Sequence, residues 1–214
     1  MKIGIIGSGN VAKTLAKGFL ASGHEVRLGT RSPEKLDEWL KEIDNPELSV
    51  GSNAEAAEFG EVVVLATGWE GTRNAIELAG PENIVGKVLI DVTNPLDFSA
   101  GPPPKLAVHY PESGGELVQQ WLPDAKVVKA FNTISAHIMI NPVLEEGIPD
   151  LFIAGDDDYA KKVVTSIARD WGWENIHDLG DITNAYWLET FAMLWIYFGF
   201  RNNHWTHAFK LLMK

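Results

Sequence analysis

Lys2-Ile3-Gly4-Ile5-Ile6-Gly7-Ser8-Gly9-Asn10-Val11-Ala12 decides how this chain is read. Its apolar start lacks polar alternation, which suits a strand covered on both faces. A Gly-x-Gly-x-x-Ala turn follows at once and opens a helical stretch, the context in which that pattern signals a dinucleotide. Gly7 suits the tight turn, Gly9 lets backbone approach a pyrophosphate, and Ala12 allows close packing of helix on strand. Free amides at the helix start, with the polar side chains of Ser8 and Asn10, supply donors up to Val11.

Working outward, short apolar runs alternate with helical stretches as far as about Asp157, which predicts βαβ units in one α/β, doubly wound, mostly parallel sheet. Strands are expected at 2–7, 25–30, 62–67, 88–92, 126–131 and 150–154, and helices at 11–22, 33–41, 71–78, 115–122 and 159–170. Three consecutive prolines, Pro102-Pro103-Pro104, make 97–104 a surface loop. From Asp181 the pattern changes to an aromatic-rich stretch. The chain is therefore expected to divide into a Rossmann domain, 1–180, and a short C-terminal helical appendage, 181–214. Trp187, Leu188, Phe191, Leu194, Trp195 and Phe198 recur at helical spacing, so this face is expected to be buried, by packing or in a homodimer. Its aromatics are alternatively placed to wall an acceptor pocket.

The formal charge of −11, from 29 acidic against 18 basic residues, disfavours nucleic acid and anionic membranes as partners. An anionic ligand then needs a local cationic site. No cysteine is present, which excludes disulfides, a cysteine nucleophile and thiolate metal sites. No signal peptide is evident, and the longest apolar tract, 191–200, falls short of the roughly 20 residues of a spanning helix. A cytoplasmic location is expected. His204 and His207 lie three apart but lack a carboxylate nearby, and Asp156-Asp157-Asp158 precedes a helix start where acids cap, so no metal site is expected.

An acid at the end of the second strand would accept from ribose hydroxyls and repel a 2′-phosphate. Here Gly29-Thr30-Arg31-Ser32-Pro33-Glu34-Lys35 puts a hydroxyl and a guanidinium at that point and an ammonium one helical turn later. Thr30, Arg31 and Lys35 together suit a phosphate dianion, so NADP(H) is preferred over NAD(H).

With Ile5 to Val11, Gly29-Thr30-Arg31, Leu65-Ala66-Thr67-Gly68-Trp69-Glu70, Val127 to Ala136 and Gly155-Asp156-Asp157-Asp158, the chain resembles the NADP-dependent oxidoreductases that use the deazaflavin coenzyme F420. Asp91-Val92-Thr93-Asn94-Pro95, Glu112-Ser113-Gly114-Gly115-Glu116 and Val127 to Ala136 are also similar to the cytosolic domain of the six-transmembrane epithelial antigen of prostate metalloreductases. The resemblance implies NADP(H) as cofactor and a flavin, FMN or FAD, or coenzyme F420 as the small-molecule acceptor. It implies that Thr67 and Gly68 lie along the ribose and nicotinamide ribose, that Asn94 sits beside the nicotinamide, and that the Ala136 backbone contacts the carboxamide. The phosphate turn is one residue shorter than in the F420 enzymes, and Ser135 stands where they have proline.

Hydride transfer between stacked rings needs alignment and dryness rather than a protein acid or base. Thr133, Ser135 and His137 are the polar candidates for orienting an acceptor carbonyl or proton, His137 having the alternative of a solvent-facing helix start. Two other functions fit the same N-terminal pattern: a small imine or ketone reductase, and a redox sensor that binds NADP(H) without turnover.

Overall fold

The computed structural model describes residues 1–213. The six strands expected from the sequence form, joined by four others: β1 (Lys2–Ile6), β2 (Glu25–Gly29), β3 (Leu48–Gly51), β4 (Val62–Leu65) and β5 (Val88–Asp91) lead through a small hairpin, β6 (Leu96–Asp97) and β7 (Lys105–Leu106), to β8 (Lys126–Lys129), β9 (Asp150–Gly155) and β10 (Asn175–Asp178). Between them lie α1 (Asn10–Ala21), α2 (Asp37–Ile43), α3 (Asn53–Phe59), α4 (Trp69–Ala79), α5 (Gly114–Trp121), α6 (Ala136–Met139) and α7 (Asp158–Asp170), and α8 (Ala185–Asn202) follows the last strand. The main sheet runs β10-β9-β8-β5-β4-β1-β2-β3. All neighbours pair in parallel except β8 with β9. Strands β3-β2-β1-β4-β5-β8 thus reproduce the 3-2-1-4-5-6 order of dinucleotide-binding sheets, whose order reverses between β1 and β4. One hydrophobic cluster fills the face built around Phe19, Phe131, Trp171 and Trp173, and a second, around Ile6, Leu65 and Val127, takes in Ile182 and Ala185 from the C-terminal segment.

Several expectations need correction. The helix expected at 33–41 is a 3-10 turn, Pro33–Leu36, followed by α2, because Pro33 cannot donate and the first turn tightens. The loop expected at 97–104 begins inside a strand: Asp97 pairs with Lys105 and Leu96 with Leu106, so the prolines form the turn of a hairpin. The face of α8 expected to be buried is divided in the single chain: Leu188 and Trp195 are buried and Phe191 is half-buried, while the rest turns outward. Trp187, Leu194 and Phe198 are 58%, 55% and 44% exposed, whereas Ala185, Leu188, Glu189, Ala192 and Gly199 are buried. Small residues allow close approach, and Glu189 is drawn inward by charge.

That charge centre is fully enclosed. Lys129, at the end of β8, places Nζ 2.9 Å from Asp91 Oδ2 on the neighbouring strand β5 and 2.8 Å from Glu189 Oε1 on α8. Glu189 also accepts from the amides of Gly114 (2.8 Å) and Gly115 (2.9 Å) at the start of α5. Asp91 Oδ1 accepts from the amide (2.9 Å) and hydroxyl (2.7 Å) of Thr93. Two carboxylates and one ammonium leave one net negative charge, which the free amides of α5 face. Burial alone would push the Lys129 ammonium down, but Asp91 and Glu189 outweigh it and hold its pKa above the ordinary 10.5.

A pKa raised on folding contributes stability that is present in full below the unfolded value and is lost as pH rises through the folded one. Lys129→Met leaves two unpaired buried carboxylates and is expected to cost about 3–5 kcal/mol at neutral pH. In urea titrations, the gap between native and variant protein should persist up to about pH 10 and narrow above it as the native lysine deprotonates.

Candidate functional site

The turn after β1 is shaped by one backbone constraint. Gly7 has φ +132°, and a Cβ there would lie 2.3 Å from the carbonyl oxygen of Ala66, so no side chain fits where β1 and β4 diverge. Its amide donates to Gly29 O at 3.0 Å, tying the turn to the end of β2. Gly9 is the opposite case: its φ is an ordinary −77°, and a Cβ would meet nothing within 4 Å. The space beside Gly9 belongs to a cleft of about 1290 Å³ along the carboxyl ends of the strands.

The cleft is lined from one end to the other by successive strand ends. Gly7, Ser8, Gly9, Asn10 and Val11 form its floor, and Gly29, Thr30 and Arg31 the side beyond β2. Thr67 and Gly68, with Trp69, Glu70, Gly71 and Asn74 of α4, face them; Thr93 and Asn94 after β5 continue the wall. The hairpin adds Leu96, Asp97 and Phe98. Ser8 Oγ donates to Thr30 Oγ1 at 3.2 Å, which also accepts from Ser32 N at 3.4 Å, so the hydroxyls are held at the cleft edge. Thr67 is fixed by Thr72 (2.8 Å between hydroxyl oxygens), whose hydroxyl also lies 3.1 Å from Gly68 O.

Ten of the residues read from the sequence therefore share one cleft: Gly7, Ser8, Gly9, Asn10, Val11, Thr30, Arg31, Thr67, Gly68 and Asn94. Lys35, Thr133, Ser135, Ala136 and His137 do not line it. Lys35 is exposed on the 3-10 turn beyond Arg31. Thr133 and Ser135 are buried, His137 is exposed, and the Ser135 hydroxyl has no hydrogen-bond partner in the protein. Their turn nevertheless reaches the cleft through Asn94: its amide nitrogen donates to Asn132 O at 2.8 Å, and Asn132 returns a bond to Asn94 Oδ1 at 2.9 Å.

Sequence reasoning missed Asn53, Trp69, Glu70, Asn74 and Phe98 in the lining. It also missed the Asp91–Lys129–Glu189 centre, although Asp91 and Lys129 each interrupt a continuous apolar run. Asp157 caps α7, its carboxylate accepting from Ala160 N at 2.8 Å. Both ring nitrogens of His207 lie within 3.0 Å of backbone carbonyl oxygens, of His204 and Trp195, and among the described residues no cluster of metal-ligating side chains occurs.

Residues 2–95 match the family model described as NADP oxidoreductase, coenzyme F420-dependent. An F420-dependent NADP reductase of Methanothermobacter marburgensis is 30% identical over 94% of this chain and 94% of its own length. The chain belongs to the coenzyme F420-dependent NADP oxidoreductase family. A solved structure from Arthrobacter sp. FB24, provisionally described as an F420-dependent NADP reductase, superposes with a TM-score of 0.94 at 37% identity over the full length of both chains. The rat metalloreductase STEAP3 is 31% identical over 86% of this chain, which spans about a third (35%) of that protein's length. Among the described residues no helix is long and apolar enough to cross a membrane.

NADP(H) fits the cleft by the test that Gly9 offers, a cradle that a Cβ would begin to fill. Gly9→Ala should fold with stability within about 1 kcal/mol of native, since its φ suits alanine, yet bind NADP+ at least about tenfold more weakly. Gly7→Ala should lower the melting temperature as well. Calorimetric titration with NADP+ alongside thermal melts checks both.

Proposed function

We propose that the protein transfers a hydride between NADP(H) and a flavin-like acceptor, with coenzyme F420 the first candidate ahead of FMN and FAD. The observation that carries the reading is the cleft at the β1–β4 reversal, with Gly9 open beneath it and Thr30 and Arg31 at its edge where an NAD-binding chain has an acid. Arg31 grips the 2′-phosphate in a planar fork, Thr30 adds a hydroxyl, and the exposed Lys35 contributes charge from the next turn. The amides of Ser8 to Val11 hold the pyrophosphate. Thr67 and Gly68 follow the ribose and nicotinamide ribose, and Asn94 flanks the nicotinamide, with the turn that carries Ala136 tied behind it through Asn132.

When bound, NADP(H) supplies or takes the hydride. The residues of this chain bind, align and keep the rings dry, with Phe98 and Leu96 of the hairpin as apolar wall. Of Thr133, Ser135 and His137, the buried and unpartnered Ser135 hydroxyl is best suited to a polar contact with a ring substituent. Coenzyme F420 is placed first because the matched family and the archaeal relative carry it in their descriptions. We further infer that a second copy of the chain covers Trp187, Leu194 and Phe198, an exposed apolar stripe of the kind that marks an interface. Light scattering should then give twice the 23.6 kDa chain mass.

The functional test offers F420, FMN and FAD separately and follows loss of the reduced-nicotinamide absorbance. Turnover with one of them identifies the acceptor; tight NADPH binding without turnover on any would support the imine reductase or the sensor instead. Arg31→Ala should weaken NADPH by about 10- to 100-fold, the worth of a charge-assisted phosphate contact, and leave NADH nearly unchanged.

A further inference from the structure

An NADP(H) site in the cleft gives no role to the buried Asp91–Lys129–Glu189 centre, none of whose residues lines it. The position of that centre is specific. Asp91 and Lys129 are register partners at the last residues of β5 and β8, directly before the two turns that carry Asn94 and Asn132. Asp91 Oδ1 accepts both the amide and the hydroxyl of Thr93, so the carboxylate orients the residue that precedes Asn94 in the cleft wall. Beyond Lys129 the chain passes through Phe131, whose backbone is left-handed at φ 60° although its side chain is large and buried. The Phe131 ring is held between Trp171 and Trp173, with centroids 5.3 and 6.3 Å away. The turn then closes on Asn94 by the reciprocal amide bonds with Asn132.

We propose that Asp91, Lys129 and Glu189 are positioning residues for the nicotinamide half of the bound dinucleotide, acting through Thr93 and the Asn94–Asn132 pair; this role rests on the cleft being an NADP(H) site. The three side chains lie behind the wall and do not touch the dinucleotide. The centre locks two strand ends at one spacing, and the amide pair transmits that spacing to the wall. The adenosine half has a separate support: Gly7 against Ala66 and the Ser8–Thr30 hydroxyl pair, neither bonded to the ionic centre. Disturbing the centre should therefore separate the two halves in their response.

Glu189→Gln is nearly isosteric but turns an amide donor toward Lys129 or toward the Gly114 and Gly115 amides. Affinities for 2′,5′-ADP, which probes the adenosine half alone, and for NADP+ are measured by calorimetry on native and variant protein. The expected result is NADP+ weakened by about tenfold with 2′,5′-ADP changed less than about twofold. Thr93→Val, which removes only the hydroxyl bond to Asp91, should show the same pattern more weakly, with Thr93→Ser restoring native values; this pair decides the matter if Glu189→Gln does not fold. Equal weakening of both ligands, or of neither, overturns the positioning role. Failure of 2′,5′-ADP to bind the native protein removes the NADP(H) reading itself, a distinct outcome seen before any variant is compared.

Discussion

An ammonium with no exposed surface cannot stand without counter-charge, and Lys129 obliges four elements to meet around it. β8 carries the lysine, β5 brings Asp91, α8 brings Glu189, and the first amides of α5 turn their donors onto Glu189. Desolvating three ionic groups is costly, and the attraction among them offsets that cost only with good geometry and every remaining lone pair engaged. The bond distances of 2.7 to 2.9 Å from Asp91 to Thr93, and of 2.8 and 2.9 Å from Glu189 to the α5 amides, are those engagements. Displacing any one element would strand a buried charge. The C-terminal helix is therefore fastened to the centre of the sheet rather than laid against its edge.

The cleft consequently has two halves built by different means. Around β1 and β2 it is a matter of backbone and sterics: a glycine that no other residue can replace, a second glycine that leaves room, and a strand end with no acid. Around β5 and β8 it is a matter of side-chain electrostatics: an ion pair across the ladder, a carboxylate that orients a threonine, and a pair of asparagines that joins two turns. Backbone sterics leave a signature in short motifs. Electrostatic pairing across strands leaves one only as isolated charges in apolar runs.

That difference explains what could be read from the sequence. The central strands were legible because strands covered on both faces read as unbroken apolar runs, and the phosphate turn because its glycines have a steric reason to be there. β3 and β10 were not legible: both are short edge strands of four residues with half-exposed pattern, and nothing in Leu48-Ser49-Val50-Gly51 separates it from a loop. α3 was equally hidden by its length of seven residues, although Ser52 and Glu55 do form a reciprocal capping box that the Ser-x-x-Glu spacing announces. In the cleft, Asn53 comes from a helix start, Asn74 from the middle of α4 and Phe98 from a hairpin, all elements whose placement depends on tertiary packing. Lys129 offered a usable signal, a charge between Val127-Val128 and Ala130-Phe131, but its partners lie 38 residues before it and 60 after, beyond any local pattern.

The rotation of α8 is the strongest instance of charge overruling hydrophobicity. Ranked by apolar area alone, the helix should bury Trp187, Leu194 and Phe198 and expose the alanines. Those three face out, while the inward side encloses Ala185 and Ala192 beside Leu188, Trp195 and Ile196, and the Cβ of Ala185 comes so near Gly115 that a side chain there would have to displace it, at 2.6 Å. A helix can turn only one face inward, and Glu189 lies on the same side as Ala185 and Ala192. Once Glu189 must reach both Lys129 and the first amides of α5, the large aromatics on the other side have no choice but to face out. A buried ion pair is a weak source of net stability, yet it discriminates sharply between rotations of the same helix, because every alternative leaves a charge unpaired in the core. The exposed aromatic stripe is thus a consequence of how the strand ends beside the cleft are locked.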